Sequence, residues 1–112
     1  MAPPANDYAF LLIPGSFATP AAYTKLVEGL RAHIQETHII DLLSVNDGSR
    51  QPPATMEDDA AHIRQATLSI LDDPSNPKNI VVVPHSYGGI PTTCALKGLN
   101  TKARQEQGKA HL

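Results

Sequence analysis

Val81-Val82-Val83-Pro84-His85-Ser86-Tyr87-Gly88-Gly89 passes from an uncharged β-branched run straight into a turn of small residues, and its reading decides the fold. An apolar run without polar alternation is the pattern of a strand covered on both faces, as in a parallel sheet. The spacing predicts that strand over Asn79–Val83 and a helix from Gly88-Gly89 to about Gly98, with Pro91 tolerated in its first turn. A serine between strand and helix sits on a turn too sharp for relaxed backbone, and small neighbours two residues away keep the chains from colliding. In the G-x-S-x-G pattern the window is Pro84 to Gly88, with proline in place of the first glycine. A strand end accepts that proline where its N–H is not needed by the ladder. Ser86 is therefore the candidate nucleophile, Pro84, His85, Gly88 and Gly89 form the turn that presents it, and the Tyr87 N–H is a candidate oxyanion donor. The bland alternative makes Ser86 only a helix N-cap.

Outward from this turn the chain alternates strand and helix. Tyr8–Ile13 is a continuous apolar run closed by Pro14-Gly15 and reads as a first strand. Thr19-Pro20 supplies a cap and a first-turn proline, and Tyr23, Leu26, Val27, Leu30 and Ile34 follow at helical spacing. Thr37–Leu43 fits a short strand, and the polar stretch Ser44–Ala54 fits a surface loop. Thr55 caps a second helix with acids in its first turn and a stripe of Met56, Ala60, Ile63, Thr67, Ile70 and Leu71, ended by Pro74 and Pro77. The order βαβαβα predicts an α/β fold of three layers, with a short parallel sheet of about three strands and about three helices. Residues 1–7 read as a flexible N-terminus and 8–112 as one domain. The tail Leu99–Leu112 reads as a solvated helix end or loop.

Composition narrows the functional classes. The chain has 112 residues, a net charge of −2 and one cysteine. Near-neutral charge lacks the concentrated cation needed for nucleic acid or anionic lipid, and the longest apolar run falls far short of a membrane span. A cytoplasmic protein with no cofactor, no metal site and no disulfide is expected.

Two motifs together resemble the α/β-hydrolase superfamily, and specifically its esterase-like branch. The first is Leu11-Leu12-Ile13-Pro14-Gly15-Ser16-Phe17; the second, about 70 residues later, is the turn at Ser86. Fungal members look similar around Ser86-Tyr87-Gly88-Gly89-Ile90-Pro91 and Ala95-Leu96-Lys97-Gly98-Leu99. The resemblance covers residues 8 to about 110 and is to the N-terminal half of the fold. It implies a serine esterase or thioesterase acting on a small-molecule ester. Gly15 forms the first turn, the Ser16 N–H is a second oxyanion donor, and Phe17 lines the pocket. By analogy with fungal members, it also implies a place in small-molecule biosynthesis.

The same resemblance places an acid and then a histidine after the serine, and here only Glu106 and His111 follow in that order. They lie in the polar tail, with no strand to hold them. His85 neighbours Ser86, and its ring is expected to point away from the hydroxyl. His33, His38 and His62 read as surface residues, with Asp58, Asp59 and Arg64 sharing the solvated face of His62. Asp41 is placed one strand too far to be the triad acid. Cys94 reads as a small buried residue. The superfamily's strand order also leaves Ile80–Val83 on an unpaired edge, which suggests a homodimer, a partner chain, or a catalytically inactive paralogue acting as an interaction module.

Overall fold

The computed structural model describes residues 8–15, 20–32, 36–44 and 54–112. The Thr19 cap and the 45–53 loop aside, each predicted element has a counterpart: β1 (Tyr8–Ile13), α1 (Thr24–Arg31), β2 (Thr37–Ile39), α2 (Met56–Leu71), β3 (Asn79–Pro84) and α3 (Gly89–Ala95). A short fourth helix, α4 (Thr101–Glu106), was not expected. The flexible N-terminus proposed for residues 1–7, the Thr19 cap, Ile34, His33 and the loop at 45–53 lie outside the described residues.

The sheet is parallel, with β1 in the centre and order β2-β1-β3. Register follows from the apolar runs: Leu11 is opposite Val82, and Ile13 is opposite Pro84. Ala9, Leu11 and Ile13 on one face of β1 are buried, and so is Leu12 on the other, where Tyr8 and Phe10 stay half-buried. Leu11 and Ile13 join Ile40, Leu42, Ile63, Leu71, Ile80, Ala95 and Leu99 in one apolar cluster beneath α2 and α3. This is a small α/β fold with four α-helices among the described residues. None of its described helices is long and apolar enough to cross a membrane.

Local chemistry sets the element ends. Thr55 and Asp58 form a reciprocal capping box, with the Asp58 N–H donating to Thr55 Oγ1 at 3.2 Å and the Thr55 N–H to Asp58 Oδ2 at 2.8 Å. Pro20–Tyr23 is a tighter 3-10 turn leading into α1, and of the described residues of the expected stripe only Val27 is buried, with Leu26 half exposed. β2 stops at Ile39, four residues early, although Ile40 and Leu42 still enter the core. The Ile40 N–H still donates to the Leu12 carbonyl at 2.9 Å, and packing holds Leu42 beyond it. Cys94 corrects its expected place: it is exposed on α3.

The tail also departs from expectation. Arg104 on α4 is 4% exposed, ion-paired with Asp72, and its Nε donates to the Ala110 carbonyl at 2.9 Å. Leu99 belongs to the core. The chain then folds back along β3, where the Ile80 N–H donates to the His111 carbonyl at 2.9 Å and the His111 N–H donates to Asn79 Oδ1 at 3.0 Å. Sequence polarity misleads here because a guanidinium on a long apolar stem can be buried once its donors are matched. Ile80 therefore does not lie on an open edge.

Removing this anchor should release the tail. We expect Arg104→Ala to lower unfolding free energy by about 2 kcal/mol in urea titration, since charge-assisted bonds and a buried stem are lost together. Faster hydrogen exchange at the Ile80 amide should accompany it, because its acceptor is carried by that tail.

Candidate active site

β3 delivers the chain to the turn and β1 fixes its height. The His85 N–H donates to the Ile13 carbonyl at 2.9 Å, pointing inward to β1, while the Ile80 N–H points outward to His111. Backbone groups alternate sides along a strand, so 81, 83 and 85 face β1 and 80, 82 and 84 face outward. Pro84 is thus on the outward set. Its missing N–H removes nothing from the ladder, which is why proline stands where the motif has glycine.

Ser86 follows with φ of 54°, and it is the one non-glycine residue with positive φ among those described. A serine in the left-handed region costs strain that the surroundings must hold in place. Two close approaches do so. A Cβ on Gly88 would lie 2.5 Å from the Pro14 carbonyl oxygen and 2.8 Å from that of Ile13, so only glycine fits against the end of β1. A Cβ on Gly15 would lie 3.3 Å from Ser86 Cβ. Gly89, by contrast, has open space around it and starts α3 in ordinary helical conformation.

Ser86 is exposed, at the start of a 3-10 turn (Ser86–Gly88), and it is His85, not Ser86, that occupies the N-cap position. The Gly88 N–H is spent on the His85 carbonyl at 3.0 Å, and the Gly89 N–H on the carbonyls of Ser86 and Tyr87. No acceptor among the described residues takes the Tyr87 N–H, which leaves that amide as the available donor beside the hydroxyl. Ser16 and Phe17, expected to add a second donor and a pocket wall, lie outside the described residues.

The histidines fall apart from Ser86. His85 Nδ1 lies 2.9 Å from Tyr23 Oη, so its ring is engaged away from the serine. His111 sits at the opposite end of β3, against Asn79 and Ile80, with its ring beside Gln105 and the Leu112 carbonyl. Six strand residues at ~3.3 Å each separate that end from the turn. Glu106 is exposed at the end of α4, and Asp41 is exposed as well. Glu106 and His111 therefore do not meet Ser86, and no described histidine is hydrogen-bonded to its hydroxyl.

One site residue escapes a reading by sequence. Asp59, expected on the solvated face of α2, is 0% exposed. Its Oδ2 accepts from the Tyr87 hydroxyl at 2.9 Å and its Oδ1 from the Ser44 N–H at 3.0 Å. The carboxylate thus ties the residue after Ser86 to the chain beyond β2 and to the first turn of α2, where an anion also meets the favourable end of the helix dipole. Burial, followed by the neighbouring Asp59 carboxylate, pushes the Tyr87 phenol above its ordinary pKa. Arg64, also expected on that face, turns from it too, donating to the Ala95 and Lys97 carbonyls at 2.8 Å each and so closing the end of α3. The signal for Asp59 was the capping box one residue before it, which fixes how α2 enters and turns Asp59 inward.

A parallel sheet with β1 central, a strained serine between β3 and a helix, and glycine pressed on the end of β1 are what comparison with known proteins must match. The profile described as "Alpha/beta hydrolase family" matches residues 10–104. The chain belongs to that family. It is 37% identical over 92 residues to "Probable hydrolase R7" of Phoma sp. (strain ATCC 20986 / MF5453), covering 82% of this chain and 36% of that protein. It is 30% identical over 94 residues to "Alpha/beta hydrolase nvfD" of Aspergillus novofumigatus (strain IBT 16806), covering 84% of this chain and 36% of that one. The chain thus spans about a third of the length of these curated relatives. No solved structure matches it.

Gly88→Ala tests the turn within this α/β-hydrolase chain. The added methyl meets backbone oxygens that cannot rotate away, so we expect a loss of about 3 kcal/mol or more in unfolding free energy, measured by urea titration. Gly89→Ala, with open space at its Cβ, should be near neutral by the same measurement.

Proposed function

We propose that this chain carries the nucleophile and oxyanion part of a serine esterase or thioesterase site, acting on a small-molecule ester in the cytoplasm. The observation that carries the reading is Ser86, exposed and held at positive φ by Gly88 against the end of β1. In this reading the Ser86 hydroxyl attacks the ester carbonyl, and the Tyr87 N–H, joined by that of Ser16, receives the developing oxyanion. The alcohol or thiol leaves, and water hydrolyses the acyl-serine. The base that takes the Ser86 proton and the acid that orients it belong to chain beyond the described elbow neighbourhood. A place in small-molecule biosynthesis rests on the resemblance to fungal members. Neither a cofactor nor a metal enters these steps.

Intact-mass labelling with a fluorophosphonate, run beside Ser86→Ala, tests this. An oxyanion site lacking its base retains a residual advantage of about 10³ over uncatalysed reaction. The expected result is a slow single adduct confined to Ser86 and abolished in Ser86→Ala. No adduct above the rate of an ordinary serine, or an adduct elsewhere, would overturn the assignment. Labelling at the full rate of an assembled serine hydrolase would overturn the placement of the base.

A second reading, in which the chain serves as an interaction module through β3, is favoured by one observation. Val81 is 41% exposed and Ile90 59% exposed, and the outward N–H of Val82 has no acceptor among the described residues. Light scattering on the eluting protein should then give a dimer that Val81→Lys converts to monomer; a wild-type monomer at all concentrations would rule this reading out.

A further inference from the structure

Tyr23 makes contacts that the acyl-transfer steps leave unused. Its hydroxyl accepts from the Gly15 N–H at 3.0 Å and lies 2.9 Å from His85 Nδ1, while the Tyr23 and His85 rings meet edge to face with centroids 5.8 Å apart. The three groups come from the turn after β1, the lead-in to α1, and the residue before the nucleophile. Gly15 in turn abuts Ser86.

A phenol offers one proton and two lone pairs. With Gly15 donating to the oxygen, the phenolic proton is free to point at His85 Nδ1, which then accepts and leaves the ring proton on Nε2. The Gly15 N–H is spent in the same contact and cannot meet an oxyanion. Any donor from this turn must come from residues after Gly15.

We propose that Tyr23 is a positioning residue: its hydroxyl clamps the turn after β1 to the strand end that presents Ser86, and fixes His85 as the Nε2–H tautomer. The proposal rests on Ser86 being the nucleophile for its effect on rate. The clamp itself does not depend on that reading. Tyr23 lies at the surface end of α1 rather than in the apolar cluster, so removal of its hydroxyl leaves the core intact.

The test compares wild type with Tyr23→Phe, which keeps the ring and removes only the oxygen. Nitrogen-15 NMR of the histidine rings should show a single Nε2–H form of His85 in wild type and a mixture of tautomers in the variant. Hydrogen exchange at the Gly15 amide should rise about tenfold, the loss of one hydrogen bond. Fluorophosphonate labelling of Ser86 should slow by about tenfold, at an unfolding midpoint close to wild type. Unchanged tautomer and exchange in the folded variant would overturn the clamp. A lost clamp with unchanged labelling would overturn its positioning role. Should wild-type Ser86 not label at all, the nucleophile assignment and with it the positioning role fall, while tautomer and exchange still decide the clamp.

Discussion

The contact between Gly88 and the last carbonyls of β1 is the constraint on which the rest of this structure depends. Ile13 and Pro14 oxygens fill the space a side chain would need, so the chain leaving β3 can turn only if it presents bare backbone there. With that approach made, Ser86 has no relaxed conformation left and stands at positive φ. The His85 N–H on the Ile13 carbonyl closes the same corner from the strand side. Strain at one residue is thus held by ordinary packing and hydrogen bonding at its neighbours, all of them reaching back to the central strand.

The parts of the fold legible in sequence are those written in uninterrupted apolar runs and in turn chemistry. Tyr8–Ile13 and Asn79–Val83 were legible as strands of a parallel sheet, although β3 buries only Ile80 and leaves Val81 exposed where an unalternating run implies cover on both faces; Thr55 with Asp58 announced the start of α2. The Ser86 turn was readable because its steric demand is local, written in Gly88 and in the strand before it. Polar residues whose partners lie far along the chain were not readable. Asp59 is buried because Ser44 and Tyr87 converge on it, and Arg104 because Asp72 and Ala110 do. Helical periodicity assigns Asp59 to solvent and the polarity of the tail assigns Arg104 there, since both register hydropathy and carry no information on hydrogen-bond partners. Tyr23 was read as one apolar position of a stripe, whereas its hydroxyl is what connects it to the turn.

Two tethers hold the residues flanking Ser86, and they differ in kind. Before the serine, His85 is joined to Tyr23 at the surface; after it, Tyr87 is joined to a fully buried carboxylate. The buried one is the costlier to disturb, because a carboxylate stripped of a partner in the interior keeps its desolvation penalty. The surface one carries no buried charge, so losing it costs one hydrogen bond rather than a stranded carboxylate.

Pairing of the Ile80 N–H with the His111 carbonyl bears on how this sheet can grow. A partner tethered within the same chain acts at an effective concentration on the order of millimolar. A second strand arriving from solution at micromolar concentration competes poorly against it at that end of β3. Pro84 offers no donor at the other end, so the Val82 N–H is the one outward donor left between them, beside the outward carbonyls. Growth of the sheet is thereby confined to a stretch beside the Ser86 turn, where a single donor and the local shape together must select what docks.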